Sequence, residues 1–514
     1  MSLQPINIIG LGPNDPPGVY LQVQFAQGQP SIGNARYAAI ILANMNQAVG
    51  TAGVDGYVYG PNTLVGMSSV QDAINLFGAG SPAMRMVNAF MKVNPNTPLY
   101  VAPVKTASGG AAATLSIVIT GPATASGTIR CNIVGDSPVD TGFLSGDTAT
   151  AIAANMATNI NTQVNLPVVA SANTGTLTLT AKVVGQRSNW LRGSARVLNG
   201  SGVVSSVARQ SFFSGGTGSD SYTNVLNFLA TNGIRYYYYI TEAGCDSVDS
   251  SQFEAVQAQI DTLAQPTIGL RQRCVGGSVD TLANTETATT AVNDARAECV
   301  WLQNSDTVPS ELAANAVAAY SLFEVPPLSA GGVNFDGFGN DPVSSPFWNA
   351  VAAPLDGSAP SQASLKSAVL SGITALKVQQ GGRTSICKRI TSHFILGAVN
   401  DYRITDSGKV TICDFFGDDL VNLLVQRYPR KLIGNDPVQG QPPAGSNVVT
   451  PSQVRNTVVE LINTYASAGL INGPSVISNL VVQKETTPGR IGIRVPLFTS
   501  NPLHTFGVSV DQVS

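Results

Sequence analysis

Apolar and polar positions along this chain follow two periods. Near the start, Val19, Leu21, Val23 and Phe25 alternate with Tyr20, Gln22 and Gln24, the period of a strand with one dry face. Near the end, Phe506, Val508 and Val510 alternate with Thr505, Gly507, Ser509 and Asp511 in the same way. Chain ends fray unless something ties them down, so both of these strands need partners. Between them, "ARYAAIILA" (35–43) holds a short apolar run and predicts a buried strand. Helical spacing takes over from 70. Gln71 to Leu76 predicts a helix closed by Gly78. Ser81 caps the next one, with Pro82 at its first position. Met84, Val87 and Met91 are its apolar stripe, read as core.

At Ala107 the texture becomes rich in Thr, Ser, Gly and Ala. "TLSIVITG", "GTIRCNIVG", "TLTLTAKVVG" and "SARVLNG" predict short strands bounded by Gly. One helix interrupts them, capped by Thr148, with Ile152, Met156 and Ile160 on one face. "ASGG" (107–110) and "SGGTGSD" (214–220) read as hinges, so the segment between them is expected to be a β-rich insertion in a host domain. The host resumes with a helix carrying Val225, Leu226 and Leu229, followed by the strand "IRYYYYI". Four tyrosines in a row could form a stacking platform. The preferred account is a strand covered on both faces, its hydroxyls finding partners at the edge.

Beyond it, "SSQFEAVQAQIDTLAQP" and "ELAANAVAAYSLFE" predict helices, and 325–361 a long surface loop. From Leu365 the pattern is helix, strand, strand. "GDDLVNLLVQRYPRKL" (417–432) predicts an amphipathic helix. A second starts at Thr450–Pro451 and stops at Gly469. "NLVVQKET" and "GRIGIRVPL" predict a hairpin around "TPG".

Composition changes one thing. Charged residues make up 11% of the chain and the net charge is only -3, while apolar content is an ordinary 43%. Such a surface has little to keep copies apart and is expected to contact other copies; a charge-poor monomer is the alternative. No basic footprint for nucleic acid is present. The opening "MSLQPINIIG" has neither the basic nor the apolar run of a signal peptide, and no stretch is long and apolar enough for a membrane helix. Cys131, Cys245, Cys274, Cys299, Cys387 and Cys413 have neither zinc nor redox spacing and read as buried thiols.

Candidate chemistry is sparse. His393 and His504 are the two histidines, and no zinc-protease, phosphate-loop or nucleophile-elbow motif occurs. Asp414, Asp418 and Asp419 read as helix-start acids, and Asp246 and Asp249 as loop or helix-start acids, stabilised by the helix dipole. No catalytic residue, cofactor or metal is expected. The densest positive cluster in the second half is Arg427, Arg430 and Lys431. It faces a partner or neutralises the end of its own helix; the second account is preferred.

The ordered set "GAGSPAMRMVNAFMKVNPNTPLYVAPV", "SGITALKVQQGGRTSICKRIT", "GDDLVNLLVQRYPRKLIGND", "VVTPSQVRNTVVELINTYASAGLI" and "VVQKETTPGRIGIRVPL" resembles contractile tail sheath proteins of the Mu-like phage type. The resemblance implies an α/β multidomain chain, mixed α+β. A sheath-type core of mixed sheet would be flanked by helices, with a β-rich insertion and terminal arms that donate strands. The implied units are a 1–30 arm, a middle domain of 31–106 and 219–394, an outer domain of 107–218, a core domain of 395–500 and a 501–514 arm. Copies would stack as six-membered rings around a tail tube protein, with baseplate and tail terminator proteins as further partners. Assembly would occur in the host cytoplasm and the product would reside in the virion. Leu21, Val23, Phe25, Phe506, Val508 and Val510 would pair between subunits. Ser392 and His393 replace the family's usual Thr-Tyr pair, and 331–361 is longer than the family pattern. A bacteriocin or injection-machine sheath, with the same mechanics, and a glycan- or receptor-binding surface protein are the alternatives.

Overall fold

A run such as "AIILA" has no polar position to turn toward water, so it needs cover on both faces. It finds that cover in the middle of an eight-stranded sheet, seen in a computed structural model that describes residues 38–46, 63–136, 138–232, 234–323, 351, 354, 358–378, 382, 384–397, 399–401, 406–437, 445 and 447–499. The strand order is Thr384–Ile386, Ile373–Val378, Ala297–Trp301, Arg273–Ser278, Tyr238–Thr241, Ala39–Ala43, Leu99–Pro103, Val65–Met67. Neighbours are parallel except at the two edges. Period-two alternation sorts the side chains. Ile41, Val101, Ile240, Val275 and Val300 face helices Val70–Phe77, Pro82–Val93 and Pro309–Phe323. Ile40, Leu42, Ala102, Tyr239 and Cys274 face helices Thr223–Asn232, Ser250–Leu263 and Leu282–Val292. The architecture is mixed α/β.

The chain leaves this sheet after Leu99–Pro103 and returns at Ser221, whose N–H donates to the Lys105 carbonyl at 2.9 Å. In between lie two four-stranded antiparallel sheets. One has the order Val204–Ser205, Thr114–Thr120, Thr176–Ala181, Val168–Asn173; the other Ser211–Phe212, Arg192–Ser201, Ala125–Ile133, Val139–Phe143. Leu115, Ile117, Ile119, Leu177 and Leu179 point inward against Ile129, Ile133 and the helix Ala149–Thr162, forming a separate apolar core. Thr148 caps that helix, as expected. The strands Val168–Asn173 and Val139–Phe143 were not anticipated, because each has only two or three inward apolar positions.

A third core joins helices Ser407–Arg427, Pro451–Ser467 and Gly473–Asn479 to the hairpin Val481–Lys484/Ile491–Arg494. Thr450 and Gln453 form a reciprocal capping box, with Pro451 in the first turn. Ser407–Arg427 starts ten residues before the expected 417. Gly417 lies inside it, so Asp414, Asp418 and Asp419 are mid-helix residues and not a helix start. The tyrosine strand is covered on both faces, but its hydroxyls do not find partners at an edge. Tyr237 donates to Asp414 at 3.4 Å, and Tyr238 accepts from Arg389 at 3.3 Å, both inside the molecule. Cys387 and Cys413 are half-buried; the other four thiols are buried as expected.

One close approach locks helix Pro309–Phe323 to the sheet. A Cβ at Gly277 would lie 1.9 Å from the Pro309 carbonyl oxygen, so strand and helix could not both keep their places. Gly277→Ala is expected to lower stability by about 2–3 kcal/mol in urea titration, the scale of core overpacking. Gly445→Ala, which meets nothing within 4 Å, should change it by less than about 0.5 kcal/mol.

Candidate functional site: buried ionic joints

Glu298 sits in the inner strand Ala297–Trp301 and is fully buried. Its carboxylate accepts from Tyr320 Oη at 2.5 Å, Thr374 Oγ1 at 3.0 Å, Ser407 Oγ at 2.8 Å, Arg389 Nε at 3.1 Å and Arg273 Nη2 at 3.4 Å. Arg389 also lies 3.6 Å over the Tyr320 ring. Arg273 reaches onward to the Ser407 carbonyl at 3.0 Å and Thr411 Oγ1 at 2.9 Å. Burial alone would raise the Glu298 carboxyl. Arg389 and Arg273, with hydrogen bonds from Tyr320 and Ser407, outweigh it and hold the group below the usual glutamate value.

The same helix is gripped twice more. Arg296 holds Asp414 through two parallel bonds of 2.9 and 2.8 Å, the strong geometry for a guanidinium–carboxylate pair. Burial works against the Asp414 charge, but Arg296 overrides it and the carboxyl is held low. Arg235 and Arg271 both bind Asp418. Ser407, Thr411, Asp414 and Asp418 are spaced by four, three and four, which places them on one helical face. Their partners Arg235, Arg271, Arg273 and Arg296 stand at or just before strand starts. Parallel strands bring those starts to one side of the sheet. This 4-3-4 polar stripe was the sequence signal for the joint, and sequence analysis missed it.

The insertion is tied by other pairs. Arg187, in the turn Gln186–Trp190, binds both oxygens of Asp246 at 2.8 and 2.7 Å. Arg85 links Asp136 of the insertion to Glu311 of the host, each at 2.6 Å. Arg192 lies 3.3 Å from Asp306. Trp190 packs edge-on against Phe212 at 5.5 Å in this root, so it is not the exposed platform a glycan-binding surface would need.

Arg427, Arg430 and Lys431 are brought only partly together. Arg427 bonds Glu460 at 2.6 Å and Thr457 at 3.0 Å, both on helix Pro451–Ser467. With Tyr428 and Lys431 it lines a polar depression. Arg430 is exposed in a left-handed turn, φ 55°. Leu21, Val23, Phe25, Phe506, Val508, Val510 and His504 lie outside the described residues. His393 Nε2 lies 3.3 Å from Asp401. Among the described residues no group of three or more His, Cys, Asp or Glu side chains could hold a metal ion, and no helix is long and apolar enough to cross a membrane.

No protein-family model matches the chain. A stretch of 125 residues, 24% of the chain, is 38% identical to the Mu-like prophage FluMu tail sheath protein of Haemophilus influenzae. The match spans about a quarter (26%) of that protein's length. Among solved structures, similarity is found to a sheath tail protein of Desulfitobacterium hafniense (12% identity, 94% of this chain and 100% of that one, TM-score 0.44). It is also found to the contracted helical sheath of the anti-feeding prophage (11%, 97% and 99%, TM-score 0.47). The contracted sheath complex of an extracellular contractile injection system is a third (11%, 97% and 98%, TM-score 0.43).

The Glu298 joint predicts a sign for acid. Carboxyls held low stabilise the fold above their unfolded values, 4.5 for Glu298 and 3.8 for Asp414. That contribution disappears as pH falls through the folded values. Glu298→Gln should cost about 3–5 kcal/mol at pH 7, the scale for breaking a buried pair, and flatten the acid limb of the stability curve in denaturant titrations. A loss below about 1 kcal/mol, the scale of an exposed ion pair, would show that the network is not a joint.

Proposed function

We propose that this chain is the structural subunit of a contractile tail sheath. In this reading copies stack as hexameric rings around a tail tube, between baseplate and terminator proteins, and shorten to drive the tube through a host envelope. The subunit carries no catalysis; it is assembled in the host cytoplasm and becomes part of the virion. The observation that carries the reading is the 125-residue stretch 38% identical to a Mu-like prophage tail sheath protein. The sparse charge of the chain supports it, since close-packed copies need a surface without strong self-repulsion.

The hairpin Val481–Lys484/Ile491–Arg494 supports a mode of assembly by strand addition. It is a two-stranded sheet, and no further strand pairs with either outer edge among the described residues. Val482, Ile491 and Ile493, on its strands, are only half-buried. An unpaired edge with apolar neighbours is a template for strand addition. In this proposal the strands of Leu21, Val23, Phe25 and of Phe506, Val508, Val510 pair between subunits at edges of this kind. Each net hydrogen bond contributes about 0.5–1.5 kcal/mol and each buried apolar side chain about 1.5–3 kcal/mol, enough to hold through a rotation of rigid bodies.

Electron microscopy of the purified chain should show tubes or rings. Deleting 500–514, or placing a charge in the seam by Val508→Asp, should abolish them while shifting the monomer's melting temperature by less than about 2 °C, because the partners lie in another chain. A large loss of monomer stability would assign the strand to its own subunit. Monodisperse particles from the intact chain would remove the sheath reading itself.

A further inference from the structure

The two ends of the insertion meet at a cluster of buried acids. Asp220, at the return, accepts from the Ala107 N–H at 3.0 Å and from Asn44 Nδ2 at 2.6 Å. The Asn44 N–H donates to Glu242 at 2.7 Å, so one asparagine bridges two carboxyl groups. Gly185, two residues before Arg187, lies against Asp220, and Gly244 lies against both Asp246 and Arg187. Asp249 stands at the start of helix Ser250–Leu263 and is 4% exposed. Neither of its carboxyl oxygens makes a hydrogen bond of normal geometry among the described residues. The charge of Arg187, and after it the Ser219 hydroxyl, pull its carboxyl down, but burial outweighs both.

The cations around this cluster are committed elsewhere. Arg187 spends Nη1 on both oxygens of Asp246. Arg85, which lines the same cavity as Glu242 and Arg187, is held by Glu311 and Asp136. Lys182 donates to the carbonyls of Ala79 and Val164. The Tyr222 hydroxyl, also beside Glu242, accepts from the Ala243 N–H. Asp220, Glu242 and Asp249 therefore share a buried space with no cation of their own, where an isolated charge is strongly disfavoured.

We propose that the root of the insertion is a proton-held hinge. The closed root keeps protons on its surplus carboxyl groups, and opening releases them. This inference does not depend on the sheath reading. Burial first, then the charge of Asp220, pushes the Glu242 carboxyl up to about 8. Burial likewise moves Asp249 to about 6 and raises Asp220. A group raised in the closed state favours closure below its free value. The advantage shrinks as pH rises toward the closed-state value and is gone above it. For Glu242 that window runs from 4.5 to about 8.

Hydrogen exchange of the full chain, followed by mass spectrometry from pH 5 to 9, tests this. Intrinsic exchange rises about tenfold per pH unit, and release of one proton on opening adds up to another about tenfold per unit. Peptides covering 105–112 and 215–222 should show a logarithmic slope approaching two between pH 6 and 8, a steeper one below pH 6 where Asp249 releases a second proton, and one above pH 8. Peptides covering 114–120 and 176–181 should show a slope of one throughout. Glu242→Gln should bring the root to a slope near one between pH 6 and 8. Should that variant not fold, Asp249→Asn must lower the root slope below pH 6 to the value found between pH 6 and 8. A slope of one at the root of the wild-type chain, or a steep slope that survives both substitutions, overturns the hinge.

Discussion

A carboxylate with no exposure to water, placed on an inner strand of the large sheet, constrains everything around Glu298. Removing its charge from water costs several kcal/mol, and only well-placed donors can offset that. Those donors come from every direction. Arg273 is on the neighbouring strand to one side, Thr374 on the neighbour to the other, Tyr320 on a covering helix, Ser407 on the helix that opens the C-terminal unit, and Arg389 just beyond the edge strand. Sheet register, helix placement and the seating of Ser407–Arg427 must be right together, or the charge is left unpaired. Apolar packing alone would tolerate sliding of these elements. A polar network of this kind does not.

The distribution of charge follows from the same economy. The chain has 28 Lys and Arg and 31 Asp and Glu, and at least seven arginines and ten acidic residues are buried. Its outer surface is poorer in charge than its composition indicates. Charge is concentrated where elements must be held at fixed angles: sheet to helix at Glu298 and Asp414, insertion to host at Asp246 and Glu311. Exposed pairs such as Arg427–Glu460, 42% and 60% exposed, contribute about 1 kcal/mol at most. A surface so composed suits polymerisation, because rigid bodies are fixed internally and little repulsion opposes their contact.

Much of the local structure was legible because its causes are local. Ser81, Thr148 and Thr450 cap helices where expected, since a cap needs only its own side chain and a following N–H. Strands Thr114–Thr120 and Thr176–Ala181 showed clean alternation because one face is wet. What failed has long-range causes. Helix Ser407–Arg427 is buried on more than one side in its first half, so its apolar residues form no stripe, and Gly417 with two aspartates imitated a start. Its polar stripe makes sense only with arginines more than a hundred residues away. Asp246 carried no mark of its partner Arg187, which arrives from the insertion. The terminal strand residues lie outside the described part, so their pairing rests on pattern and on the proposed function.

The two kinds of joint respond oppositely to protons, and the ratio of cations to carboxyl groups decides the sign. Around Glu298 two guanidinium groups face one carboxylate, and at Asp414 a guanidinium binds in bidentate fashion. Burial there is outweighed, the charged form is held, and acid is the threat. At the root of the insertion the nearby guanidinium groups, Arg187 and Arg85, are already held by Asp246 and by Glu311 and Asp136, and Glu242, Asp220 and Asp249 are left over. Burial dominates there, the neutral form is held, and rising pH is the threat. Both responses come from buried surroundings. A buried acid is a lock or a hinge according to how many cations reach it, and here the locks lie within the host and its C-terminal helix, while the hinge lies where the insertion leaves it.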